Sequence, residues 1–78
     1  MLRSDMKQTL AKAKVPSSFH VLEVDGPFSV RLLEMGITPG QKLDVIRRAP
    51  TGFPIEIKIR GYFVSLRREE AEGVIIQE

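Results

Sequence analysis

The chain has no cysteine, a single histidine and, in 78 residues, only four phenylalanines and one tyrosine. Without thiols there is neither a disulfide framework nor thiolate-bound zinc, and the lack fits a reducing compartment. His20 has no cysteine to activate, and no serine or threonine stands in a nucleophile-elbow context, so no catalytic constellation is predicted. His20 with scattered carboxylates has no ligand spacing, so no metal centre is predicted either. The glycines form neither a Walker pattern nor GxGxxG, which removes the common phosphate-binding loops and leaves no cofactor to expect. No apolar run approaches the roughly 20 residues of a membrane span, and the first residues lack the apolar core of a secretory signal. A small soluble intracellular protein is the expectation.

What is present begins with an uneven charge distribution. Residues 1–18 hold Arg3, Lys7, Lys12 and Lys14 against Asp5, so they carry +3 of a net +2 and leave the remainder at −1. Within that remainder Arg47, Arg48, Lys58, Arg60, Arg67 and Arg68 face only Glu56, before Glu69, Glu70 and Glu72 follow. Such a cluster suits phosphates or an acidic protein surface. A small-barrel nucleic-acid-binding or regulatory module is therefore an alternative reading. The only aromatics beside the cluster are Phe53, Tyr62 and Phe63, however, and single-strand binders stack several bases on exposed rings. Pairing of the arginines with Glu56 and with the Glu69–Glu72 turn accounts for the same residues without a ligand.

The chain divides into residues 1–18, an arm and linker, and residues 19–78, the folded domain. Leu2, Met6, Leu10 and Ala13 recur at helical spacing, and Val15-Pro16-Ser17-Ser18 breaks the pattern. An arm after a proline-containing hinge invites exchange between subunits, hence a possible homo-oligomer. Residues 19–25 are rich in strand formers, and Asp25 is a plausible N-cap for a helix over 27–35. Strands follow at 41–48, 55–60, 62–66 and 74–76, with a single helical turn over 68–72. Ile55, Ile57 and Ile59 alternate strictly with charged residues, and Gly61 marks a tight reversal, so 55–66 reads as a hairpin. Ile46 breaks the alternation of Leu43 and Val45, which predicts a bend in that strand. The fold class is all-β: a small SH3-like barrel of about five strands with one short helix between the first two.

One stretch organises the rest, Arg31-Leu32-Leu33-Glu34-Met35-Gly36-Ile37-Thr38-Pro39-Gly40. Arg31 and Glu34 are spaced for an ion pair on an outer face. Gly36 sits where a helix ends on positive φ, and Ile37 folds back on the last turn. Thr38-Pro39-Gly40-Gln41 is the signature of a type II turn. Leu32 and Leu33 lie about 100° apart on the helix, so either one of them faces outward and makes the helix a docking element, or both are partly covered by the N-terminal arm.

With these blocks in view, the chain resembles the FeoA family of bacterial ferrous iron transport accessory proteins over residues 19–78. The carriers are the 31–40 stretch, Arg47-Arg48-Ala49-Pro50-Thr51-Gly52-Phe53-Pro54, Ile59-Arg60-Gly61-Tyr62 and Leu66-Arg67-Arg68-Glu69-Glu70-Ala71, in that order. The resemblance implies an SH3-like barrel without catalysis that binds the cytoplasmic, GTPase-containing part of the FeoB transporter and reaches the membrane only through it. Phe53 departs from the family pattern, as does the longer N-terminal segment. The expected contact residues are Leu32, Leu33 and Met35 on the helix, rimmed by Arg47, Arg48 and Arg60. A metal sensor or carrier is a third reading, disfavoured by the missing cysteine and the single histidine.

Overall fold

The computed structural model describes residues 7–77. Six strands alternate with two short helices: β1 (Gln8–Thr9), β2 (Ser17–Val24), α1 (Ser29–Glu34), β3 (Lys42–Arg48), β4 (Ile55–Ile59), β5 (Tyr62–Leu66), α2 (Arg68–Ala71) and β6 (Val74–Gln77). A 3₁₀ turn, Leu10–Lys12, joins β1 to the rest. All pairings are antiparallel, in the order β1-β6-β2-β3-β4-β5. The sheet curls around one core built from Phe19, Val21, Leu43, Val45, Ile55, Ile57, Ile59, Leu66, Val74 and Ile76, all buried. This is the small all-β fold expected, with the helix between the strands predicted as first and second.

The N-terminal segment corrects the predicted helix. From Gln8 onward the chain is a strand on β6, Gln8 opposite Ile76 and Thr9 opposite Ile75, followed by the 3₁₀ turn. Leu10 and Ala13, two of the four residues that suggested helical period, are buried in the common core; Leu2 and Met6 lie outside the described residues. A three-turn helix is marginal in water by itself, and a sheet edge with an apolar socket offers the backbone better partners.

Two register shifts shape the sheet. One falls at Leu22 against β6, the other at Ile46, where Val45 pairs with Ile57 but Arg47 pairs with Glu56. The extra residue in β3 is the predicted bend, realised as a β-bulge. Its consequence is an inversion of faces. Leu43 and Val45 point to the core, and after the bulge it is Arg48, opposite the buried Ile55, that follows them inward, while Arg47 turns out. The β4–β5 hairpin closes on Arg60 (φ +54°) and Gly61 (φ +86°), the two left-handed residues of a type I′ turn.

Candidate docking surface

Helix α1 is only six residues long and is held by its ends and its underside. Asp25 does not cap it: its backbone N–H donates to Gly73 O at 2.8 Å, and a turn from Gly26 to Ser29 intervenes before the first helical residue. The C-terminal end follows the sequence closely. Gly36 has φ +94°, its N–H reaches Leu33 O at 3.0 Å, and the Ile37 N–H reaches Leu32 O at 3.1 Å. That pair of bonds is a Schellman motif, and Ile37 is buried beneath it. Gln41 N–H to Thr38 O at 3.0 Å, with Gly40 at φ +89°, closes the expected type II turn into β3.

The helix therefore has a determined face. Leu32 is fully buried and belongs to the core, so its predicted place on a contact surface is corrected. Leu33 is 42% exposed, and Val30, one turn before it, is 67% exposed. Residues three apart on a helix are neighbours, so Val30 and Leu33 form one apolar outer strip. Phe28 stands exposed just ahead of the helix. Met35, the third expected contact, is partly buried against the core. Tyr62, half exposed on β5, donates its hydroxyl hydrogen bond to Met35 O and so brings the hairpin turn to the helix C-terminus. Val30 and Tyr62 were missed by the sequence reading. The i, i+3 spacing of Val30 to Leu33 carried that signal, whereas nothing local announced Tyr62.

The three rim arginines do not converge. Arg47 is exposed and pairs with Glu56 at 2.7 Å across the β3–β4 ladder. Arg48 turns inward, donating to Ala11 O at 2.8 Å, Ala13 O at 2.6 Å and Gly52 O at 3.2 Å, with its guanidinium over the Phe53 ring at 5.3 Å. It is a clamp that ties the N-terminal segment to the 49–54 loop. Arg60 alone joins the α1 end: its Nε donates to Gln41 Oε1 at 3.1 Å, and its side chain passes close to Gly36. The predicted Arg31–Glu34 pair is replaced by Arg31 with Glu70, 3.6 Å apart, because α2 presents there a nearly buried carboxylate. Glu70 also accepts the Arg67 N–H at 2.8 Å, which closes the start of α2. Phe53 packs back between Arg48 and Arg68, the latter 4.4 Å from its centroid.

Among the described residues no group of three or more His, Asp or Glu side chains is placed to hold a metal ion, His20 being exposed on β2. Nor is any helix among them long and apolar enough to cross a membrane.

Comparison with protein-family models matches the FeoA domain over residues 8–78. A Porphyromonas gingivalis protein, described as an Fe(2+) transport protein A/Fe(2+) transporter FeoB fusion, is 39% identical over 56 residues, 72% of this chain and 7% of that protein. The chain thus spans a small part of the length of that curated relative. The solution structure of a FeoA-like protein from Clostridium acetobutylicum superposes with a TM-score of 0.86 at 27% identity, covering 92% of this chain and 86% of the other. The fold is shared as well with Stenotrophomonas maltophilia FeoA, described as a prokaryotic SH3 domain protein and solved with zinc (TM-score 0.80, 24% identity, 90% and 89% covered).

Proposed function

Because the chain belongs to the FeoA family of ferrous iron transport, we infer that it is a non-enzymatic cytoplasmic accessory protein that docks through α1 on the cytoplasmic part of the FeoB transporter and modulates its assembly or activity. The observation that carries this reading is the Val30–Leu33 strip. Two apolar side chains are left in water on a helix whose other face is locked to the barrel. Isolated exposed apolar residues are ordinary, whereas contiguous apolar patches on small soluble domains mark interaction sites. The fusion relative supports the choice of partner, since joining two modules in one chain raises their effective concentration and suits domains that work in contact. Phe28 and Tyr62 extend the strip at either end, and Arg60 supplies a cation at its C-terminal border.

The test is binding of the full chain to the purified cytoplasmic part of the transporter, with GDP, with a GTP analogue and without nucleotide. Saturable binding that Leu33→Asp or Val30→Asp weakens about tenfold or more, with the circular dichroism spectrum unchanged, is expected. Equal binding by both variants would move the contact off α1. No binding in any nucleotide state, nor to the intact transporter in membranes, would overturn the reading.

A further inference from the structure

Among the described residues strand β5 is an edge of the sheet, paired with β4 alone. Its hydrogen-bonding phase follows from the two-residue turn. Ile59 and Tyr62 flank that turn and form a hydrogen-bonded pair, so Tyr62, Val64 and Leu66 direct their backbone groups to β4. The alternate residues, Phe63 and Ser65, direct theirs to the open edge. Among the described residues no backbone bond outside the ladder involves positions 60–66. The edge also lacks the usual protection: residues 61–66 hold no charge, no proline and no bulge. Both Phe63 (58%) and Ser65 are exposed.

The surroundings select the occupant. Arg60 stands at the turn end of β5 and Lys58 lies across from Phe63, 5.8 Å from its ring. At the other end Ser65 lines a groove of about 610 Å³ whose charged walls are Arg31, Arg67, Arg68, Glu69 and Glu70, beside Phe53 and Pro54; Glu70 is already engaged by Arg31 and by the Arg67 N–H. No ion pair engages Arg67 or Arg68 among the described residues. A second copy fits poorly, because antiparallel self-pairing of β5 brings the Arg60 end of each copy toward the Arg67–Arg68 end of the other, like charge against like. A strand with an uncharged, β-forming centre and acidic residues at both ends meets a free ladder in the middle and a cation at each flank.

We propose that β5 accepts an extended, acidic-ended peptide segment of a partner protein as a seventh strand, through the backbone groups of Phe63 and Ser65, with one acidic end against Arg67 and Arg68. This site shares Arg60 with the border of the α1 strip, but it is built on the β5 backbone rather than on Val30 and Leu33 and does not depend on them.

The probe is an acetylated, amidated peptide with two glutamates at each end of a Thr-Val-Thr-Ile-Thr centre, titrated into the full ¹⁵N-labelled chain. Shift changes along β5 are expected, with exchange of the Phe63 and Ser65 amides slowed about tenfold or more and those of Tyr62 and Val64 little affected. The same peptide with its centre N-methylated should not bind, and a lysine-ended version should bind at least about tenfold more weakly. Ser65→Pro removes one edge donor at a position where proline is tolerated and should abolish binding. Should that variant lose its fold, Arg67→Glu, which leaves the ladder intact, should weaken binding about tenfold. Leu33→Asp should leave it unchanged, which separates this proposal from the docking of α1. Equal binding of the N-methylated peptide, or shifts confined to α1, would overturn strand addition. Protection of Phe63 and Ser65 without peptide, rising with protein concentration alongside dimer in sedimentation, would overturn it in favour of a second copy.

Discussion

Leu32-Leu33 in α1 and Arg47-Arg48 at the end of β3 are adjacent pairs of like residues, and each is split between interior and surface. The causes differ. In α1 the split is local, since a 100° step per residue sends neighbours to different sides and the Leu32–Ile37 Schellman contact decides which one goes in. In β3 the split is set at a distance. Strict alternation from Leu43 and Val45 sends Arg47 inward, and only the bulge at Ile46 reverses the assignment. The inward arginine is then tolerable because carbonyls of Ala11 and Ala13, some 35 residues earlier in the chain, receive its guanidinium. One region reads from a ten-residue window; the other requires two segments that the sequence keeps apart.

The sharpest way to break the comparison is within α1. Leu32→Ala removes a fully buried side chain from a small core and should cost about 2–5 kcal/mol, lowering the midpoint of urea or thermal unfolding well beyond error. Leu33→Ala should stay within about 0.5 kcal/mol of the unmodified chain. Similar losses for the two would mean that Leu33 is packed and the helix has no free face. The β3 pair should behave in parallel at smaller amplitude. Arg48→Met withdraws donors from the Ala11 and Ala13 carbonyls and should cost about 2 kcal/mol, the hydrogen bonds being charge-assisted but only partly buried. Arg47→Met loses an exposed pair with Glu56 and should change stability by less than about 1 kcal/mol. Amide exchange adds a second readout, because Arg48→Met should speed opening of the Gln8–Ala13 segment while Arg47→Met should not.

These pairs also show what was legible beforehand. Elements announced by strict local chemistry emerged with nearly the bounds expected: the isoleucine alternation of β4, the Gly61 reversal, the Gly36 stop and the Pro39-Gly40 turn. The misreadings are where tertiary partners outvote local preference. Leu10 and Ala13 have helical spacing, yet the core socket under β6 captures them as strand and 3₁₀ turn. Asp25 looks like an N-cap, yet its N–H donates to Gly73 O, and a side chain at Gly73 is barred because a Cβ would collide with Asp25 O. Of the six expected surface contacts, Leu33 is part of the α1 strip and Arg60 stands at its border, while Leu32 is core, Met35 is half covered, Arg48 is a clamp and Arg47 is paired elsewhere. A positively charged residue at a strand end reads as surface unless its carbonyl partners are known, and they come from another part of the chain.

The subtlest effect is expected at the C-terminal end of α1, where the β4–β5 hairpin meets it. Gly36→Ala places a Cβ on a backbone at φ +94° and 3.0 Å from the Tyr62 hydroxyl, so it should cost roughly 1–2 kcal/mol. Tyr62→Phe alone removes the hydrogen bond to Met35 O, and because the tyrosine is half exposed its cost should be only about 0.5–1 kcal/mol. The two changes should not add. The hydroxyl is the atom that the new methyl meets, so in the Gly36→Ala background Tyr62→Phe should be nearly neutral or slightly stabilising, with a coupling of about 0.5–1 kcal/mol in a double-mutant cycle of urea unfolding. Additive losses would mean that the Tyr62 hydroxyl does not bridge hairpin and helix in solution. The α1 C-terminus would then be held by the Schellman bonds alone, leaving Arg60 and Tyr62 free to move independently of the Val30–Leu33 strip.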